Sequence, residues 1–282
     1  MRPQRIALVT GANQGIGFAL VEGLAARLDA ADLVLLTGRN PERVAAAVER
    51  VNGTARTGGR VLDVTDATAV AELAADLQAQ YGGVDIVISN AIGPLTPDRP
   101  QAEQADEFIA VANGGTTAVL RSFLPVLRPA GRLIVVASSL GTLDHLDVKL
   151  QPLFEDGHTL DQIEQTVEDW RQTIHAGTHA EHGWPDWINL PSKVAQVAAV
   201  RAVAATRRTE DLADNTLIAS VCPGLVDTRA SRPWFDDFSQ ARTPEKAVQP
   251  ILDLILTDHV DPSTYGELVR DGKVLPYDQR MS

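Results

Sequence analysis

In the segment TGANQGIG, residues 10–17, Gly11, Gly15 and Gly17 let the backbone pass close to a phosphate. A helix opening at that point would aim its free N–H groups at the same anion. A second chemistry lies in DWINLPSKVAQ, residues 186–196, where the Lys193 ammonium sits just inside a predicted helix and Asn189 stands four residues earlier. A carboxamide donates hydrogen bonds and can stabilise developing negative charge, but it gives up no proton at a useful pH. Asparagine is also a preferred N-cap, and Pro191 suits a first helical turn, so capping and active-site duty are both open to Asn189. Arg39, in TGRN, carries a guanidinium that can donate two parallel hydrogen bonds to a phosphate. Ser139, in VASSL, offers a hydroxyl, with Ser138 beside it as the alternative. His175-x-x-x-His179 has metal-ligand spacing, yet Gly177 weakens that helix and no Glu follows His175, so no metal site is expected.

The elements that must position these groups alternate along the chain. RIALVT (5–10), DLVLLT (32–37), GRVLDV (59–64), VDIVIS (84–89), RLIVVAS (132–138) and NTLIASV (215–221) read as strands. Amphipathic, alanine-rich stretches between them predict helices over 15–28, 41–51, 65–81, 101–128, 190–208 and 244–257, the last kinked at Pro250. YGELVRDGKVL (265–275) reads as a closing hairpin around Asp271-Gly272. Fully apolar strands fit a parallel sheet covered on both faces. The fold class is therefore α/β, a Rossmann-type doubly wound parallel sheet forming a single domain over 1–282, with ligands at the carboxyl ends of the strands. Residues 140–188 break the rhythm: they are polar, carry three tryptophans and several histidines, and hold one helix at 160–175. They read as an insertion near the site, and long ordered insertions of this kind are often lids.

A formal charge of −12 over 282 residues argues against nucleic acid or an anionic membrane as partner. The stretch MRPQRIALVT has no signal-peptide pattern and no run is long enough to span a bilayer, so a cytoplasmic protein is expected. Cys222 is the only cysteine, which excludes an internal disulfide and predicts a buried strand-end residue.

The Gly-x-x-x-Gly-x-Gly string between first strand and first helix resembles that of the short-chain dehydrogenase/reductase family, and further matches follow in family order across nearly the whole chain. By that resemblance Gly11, Asn13, Gln14, Gly15, Ile16 and Gly17 would hold the dinucleotide. Arg39 would take the 2′-phosphate, making NADP(H) the cofactor, although Gln14 is neutral where NADP-preferring members often carry a second base. Asp63 and Val64 match the adenine-contacting pair. Asn90-Ala91 resembles the core of Asn-Asn-Ala-Gly, with Ser89 and Ile92 departing from it. Asn113 matches an asparagine that holds a structural water. Pro223, Gly224, Val226 and Thr228 match the segment that backs the nicotinamide. HAEHGWPDWINLPSK further resembles monomeric carbonyl reductases, whose insertion obstructs a tetramer surface; a monomer is implied.

In that family a serine, a tyrosine and a lysine act together. Ser139 and Lys193 match the first and last, whereas Asn189 occupies the tyrosine's place. Tyr81, Tyr265 and Tyr277 fall elsewhere. Three readings stay open. One is a reductase of quinones or conjugated aromatic carbonyls, of the kind found in natural-product (antibiotic) biosynthesis, that needs no protein acid. The others are a non-redox cyclase or isomerase, and a cofactor-binding regulator. For the first, Trp170, Trp184, Trp187, Trp234 and Phe235 are candidate walls for an aromatic acceptor, and His145, His179 or His182 could substitute as acid.

Overall fold

Apolar, β-branched runs form the predicted strands because both faces of the sheet are covered. Every residue of β1 (Ile6–Val9) is fully buried, and β4 (Val84–Ser89) and β6 (Leu217–Val221) are nearly so. The computed structural model describes residues 3–278, so Met1 and Arg2 of the N-terminal stretch lie outside the described residues. Eight strands make one sheet in the order β3-β2-β1-β4-β5-β6-β7-β8. The first six are parallel, with β2 (Leu33–Gly38), β3 (Arg56–Val61) and β5 (Leu127–Val136) completing the set. β7 (Leu268–Arg270) joins β6 in parallel and β8 (Lys273–Leu275) turns back on it. Asp271 and Gly272, at φ 51° and 75°, form the expected turn. Chain order reverses between β1 and β4, which places the crevice of a doubly wound sheet at their carboxyl ends.

Several elements differ from expectation; β5, for one, begins at Leu127 and not at Arg132. β3 begins three residues early, at Arg56, so that Gly58 and Gly59 lie inside it opposite Leu35 and Leu36. The reason is packing: a Cβ on Gly59 would come within 2.6 Å of Val44 Cγ1 on α2 (Pro41–Arg50), so the glycine lets that helix rest on the sheet edge. The helix expected over 101–128 is interrupted. A 3-10 turn (Gln101–Gln104) leads into α4 (Ala105–Ile109), a π turn (Ala110–Gly114) and α5 (Gly115–Phe123). Pro125, which cannot extend an α-helical ladder, falls in the closing 3-10 turn. The helix carrying Lys193, α7, runs from Asn189 to Ala213. The last helical stretch is split into α8 (Pro244–Ala247) and α9 (Gln249–Ile255), with Pro250 in the first turn of the latter.

The other helices are α1 (Gly15–Arg27), α3 (Ala67–Tyr81) and, in the insertion, α6 (Leu160–His175). Thr159 and Gln162 close a capping box at the start of α6. Its buried face, Ile163, Val167, Trp170 and Ile174, follows helical spacing and packs toward α4 and α7. Among the described residues no helix is long and apolar enough to cross a membrane.

Candidate active site

The residues singled out in the sequence gather at the carboxyl ends of six consecutive parallel strands. Gly11 follows β1, Arg39 β2, Asp63 β3, Asn90 β4, Ser139 β5 and Pro223 β6. At the first of these ends Gly11 has φ +60°, and a Cβ on it would lie 2.7 Å from Ala91 Cα. A Cβ on Gly17 would meet the Gly11 carbonyl at 2.7 Å and Asn90 Nδ2 at 2.5 Å. Asn90 holds this junction: its Nδ2 donates to the carbonyls of Thr10 (2.9 Å) and Gly11 (3.1 Å). Its own N–H and that of Ala91 donate to Thr10 Oγ1 at 2.9 and 3.1 Å. Thr10, overlooked in the sequence, thus ties the loops after β1 and β4 together.

Gln14 precedes α1 in extended conformation with no side-chain cap, and no acidic residue stands in the first turn of that helix. The turn Gly15–Ile16–Gly17 therefore presents uncapped N–H groups to the crevice, with Ile16 packed against the core. A Cβ on Gly15 would touch Thr228 Cγ2 at 3.7 Å, so the glycine loop faces the segment after β6. In that segment Pro223 and Val226 are buried, Gly224 has φ +76°, and Thr228 Oγ1 lies 3.2 Å from Ser231 Oγ. Asn13 sits beside the end of β2, its Oδ1 3.6 Å from where a Gly38 Cβ would be. The Arg39 guanidinium next to it is half exposed, 3.5 Å from Glu107 on α4. Asp63 accepts from the Thr65 N–H and hydroxyl through Oδ1, while Val64 packs against Gly115.

The second cluster surrounds Lys193. Its ammonium is buried, donating to Gln196 Oε1 at 2.8 Å and to the Val136 carbonyl at 3.4 Å. Burial lowers its pKa to about 8. Gln196 Nε2 donates onward to the Ala112 carbonyl (2.8 Å) and to Thr116 Oγ1 (2.9 Å), which belong to the π turn and α5. Asn113 also binds α7, accepting from Ser192 Oγ at 2.8 Å and donating to the Ser192 carbonyl at 3.0 Å. Ser138 Oγ accepts from the Leu140 N–H and so caps a 3-10 turn, whereas the Ser139 hydroxyl makes no hydrogen bond among the described residues. The Ser139 N–H donates to Cys222 Sγ at 3.1 Å, and Cys222 is buried just beyond the end of β6, as expected.

Asn189 does not cap α7. Ile188 already has helical angles (φ −62°, ψ −20°), so Asn189 is the first helical residue and its side chain bonds no helix N–H. The Ile188 N–H instead donates to Gln101 Oε1 at 2.8 Å, a partner 87 residues away that local sequence does not reveal. Asn189 Oδ1 is buried without a hydrogen-bond partner. Tyr265 donates to Asp211 at 2.6 Å, Tyr277 to the Phe154 carbonyl at 2.9 Å, and burial pushes both phenols up. The Tyr81 carbonyl accepts from Arg128 at the end of α3. The proposed histidine acids are likewise engaged: His145 with Thr142, His179 with Asp186, and His182 with the Thr178 carbonyl. His175 pairs with Asp106, away from His179.

The aromatic candidates divide. Trp170 and Trp184 stack at 5.7 Å inside the insertion, are buried, and belong to its packing. Phe235 is exposed against Phe238. Trp187 and Trp234 meet at 5.7 Å, and Trp234 Nε1 donates to the Leu95 carbonyl at 3.1 Å. That contact joins the loops after β4 and β6 to the residues just before α7.

The sequence profile of the short chain dehydrogenases matches residues 5–148. Carbonyl reductase (NADPH) 3 of Rattus norvegicus is 31% identical over 95% of this chain and 96% of its own length. Carbonyl reductase (NADPH) 1 of Mus musculus is 28% identical over 96% and 98%. Among solved structures, salutaridine reductase from Papaver somniferum superposes with a TM-score of 0.77 at 22% identity, covering 92% of this chain and 98% of that one. A metagenomic short-chain oxidoreductase in complex with NADP gives 0.62 at 20% identity, over 95% and 97%. On the match of profile, full-length relatives and crevice geometry, this chain belongs to the short-chain dehydrogenase family and is a carbonyl reductase-like oxidoreductase.

Proposed function

We propose that the chain is an NADPH-dependent reductase of quinones or other conjugated aromatic carbonyls, of the sort natural-product biosynthesis produces. The observation that carries this reading is that Asn189 stands on α7 one helical turn before Lys193, the place that the family resemblance gives to a tyrosine. The chain's residues suit a phosphorylated dinucleotide. Gly11 and Gly17 leave no room for a side chain where the backbone must approach pyrophosphate, and the α1 N-terminus is free of acids. The half-exposed Arg39 is available to a 2′-phosphate. Asp63, Val64 and Asn90 line the adenine side, with Pro223, Gly224, Val226 and Thr228 on the nicotinamide side. Bound there, the dinucleotide supplies a hydride.

Lys193 binds the ribose as a cation, and Asn113 steadies the start of α7 through Ser192. The Ser139 hydroxyl donates to the acceptor's carbonyl oxygen, and the Asn189 amide offers N–H groups to the same developing charge. Neither group neutralises that charge. An unconjugated ketone would leave a strongly basic alkoxide, whereas a quinone leaves a delocalised hydroquinone anion that water can protonate. Trp187 and Trp234 supply a planar wall.

NADPH oxidation measured against a quinone panel and a set of simple ketones tests this. The native protein should turn over quinones while leaving simple ketones nearly untouched. Asn189→Tyr, by restoring a general acid, should raise ketone kcat/KM by about 100-fold. Tight NADPH binding with no quinone able to oxidise it would sink the proposal.

A further inference from the structure

Lys193 is the one buried lysine of the chain, and its closest partner is not a carboxylate but the amide of Gln196, one turn along α7. The direction of that amide is fixed. Thr116 donates its proton to the Ala112 carbonyl at 2.7 Å, so its oxygen can only accept from Gln196, and the Ala112 carbonyl also only accepts. Both bonds demand that the NH2 end of Gln196 face α5, which turns Oε1 toward the Lys193 ammonium. The π turn brings the Ala112 carbonyl into this arrangement.

We infer that Gln196 is a positioning residue for Lys193, its amide oxygen fixing the buried ammonium against β5 for the ribose of a bound dinucleotide. The inference rests on the reading that Lys193 serves such a cofactor. It also has an electrostatic side. The groups packed around the ammonium are the Val136 carbonyl of β5, the Gln196 amide of α7 and the Cys222 thiol beyond β6, and only the thiol can titrate. A neutral amide gives the cation a hydrogen bond without a compensating charge, so burial governs and the ammonium loses its proton near pH 8. The charged form, and cofactor binding with it, holds below that pH and fades as pH rises through it.

Gln196 lines a cavity of about 330 Å³ between α6 and α4, α5 and α7, so replacements of its size need not overpack. NADPH affinity, read by quenching of tryptophan fluorescence from pH 6 to 10, should be compared for the native protein, Gln196→Glu and Gln196→Met. The carboxylate should move the alkaline loss of binding upward by at least about one pH unit. The thioether, a poor acceptor, should move it downward and weaken binding at pH 7 by about 10-fold. Should Gln196→Met fail to fold, the upward shift in Gln196→Glu alone decides. Tight binding with one shared alkaline break in all the proteins overturns the role of Gln196. Absence of NADPH binding by the native protein overturns the cofactor reading and this inference together.

Discussion

Arg39 illustrates how residue type and offset can reveal a role without any contact being known. Its guanidinium, more than half exposed, pairs with Glu107 at 3.5 Å. Such an exposed pair is worth at most about 1 kcal/mol, so a doubly charged phosphate displaces it. Arg39→Ala should therefore weaken NADPH by about 10- to 100-fold while leaving NADH nearly unchanged, measured as Kd for the two dinucleotides. A parallel loss for both would mean that Arg39 does not read the phosphate. The glycines, Arg39, Ser139 and Lys193 were legible because each follows a strand end or helix start that the apolar pattern already marks. Gln196 was not, because its partners at Ala112 and Thr116 lie 84 and 80 residues away. Asn189 was misread as a possible cap for a related reason. The chain is already helical at Ile188, whose N–H is held by Gln101 from 87 residues away, so α7 opens before Asn189 could cap it.

At the scale of elements, the alternation of buried strands and amphipathic helices was visible because the central strands β1, β4 and β6 are apolar and buried on both faces. The shift of β3 and the π turn were hidden. The first depends on Val44 packing over Gly59, and the second on contacts with α7, neither of which periodicity encodes. Least visible was the bridge across the crevice mouth, where Trp234 from the loop after β6 stacks on Trp187 and donates to Leu95. An aromatic pair and one hydrogen bond together contribute about 1–3 kcal/mol. Trp234→Ala should release the loop and raise KM for an aromatic quinone by about 10-fold with little change in kcat, because it removes binding common to ground and transition states. Trp234→Phe, which keeps the ring and loses the N–H, should fall between. An unchanged KM in Trp234→Ala would show that the bridge does not border the acceptor.

On the scale of the whole molecule, residues 140–188 add a helix that covers one flank of the helical layer beside the sheet. α6 lays Ile163, Val167, Trp170 and Ile174 toward α4 and α7. Polar contacts then fasten it: Arg171 pairs with Asp106 at 2.9 Å, His175 hydrogen-bonds the same carboxylate at 2.7 Å, and Arg121 of α5 pairs with Asp161 and Glu164. Exposed pairs of this kind add register more than stability, so the buried face supplies the energy and the charges set the alignment. The apolar flank of α4, α5 and α7 is thereby covered within one chain, and a formal charge of −12 opposes contact between copies. Sedimentation equilibrium at tens of micromolar should accordingly return a single species of 30.2 kDa. Trp170, buried against Trp184, is the side chain whose loss would undo this cover. Trp170→Ala should cost about 3–5 kcal/mol in denaturant unfolding, as expected for emptying a large aromatic site. It should also loosen α6 enough for mass to rise with concentration, since the uncovered flank is apolar and broad. A native dimer would show that the association surface lies elsewhere, and a Trp170→Ala variant that is destabilised yet strictly monomeric would show that α6 stabilises the fold without shielding it.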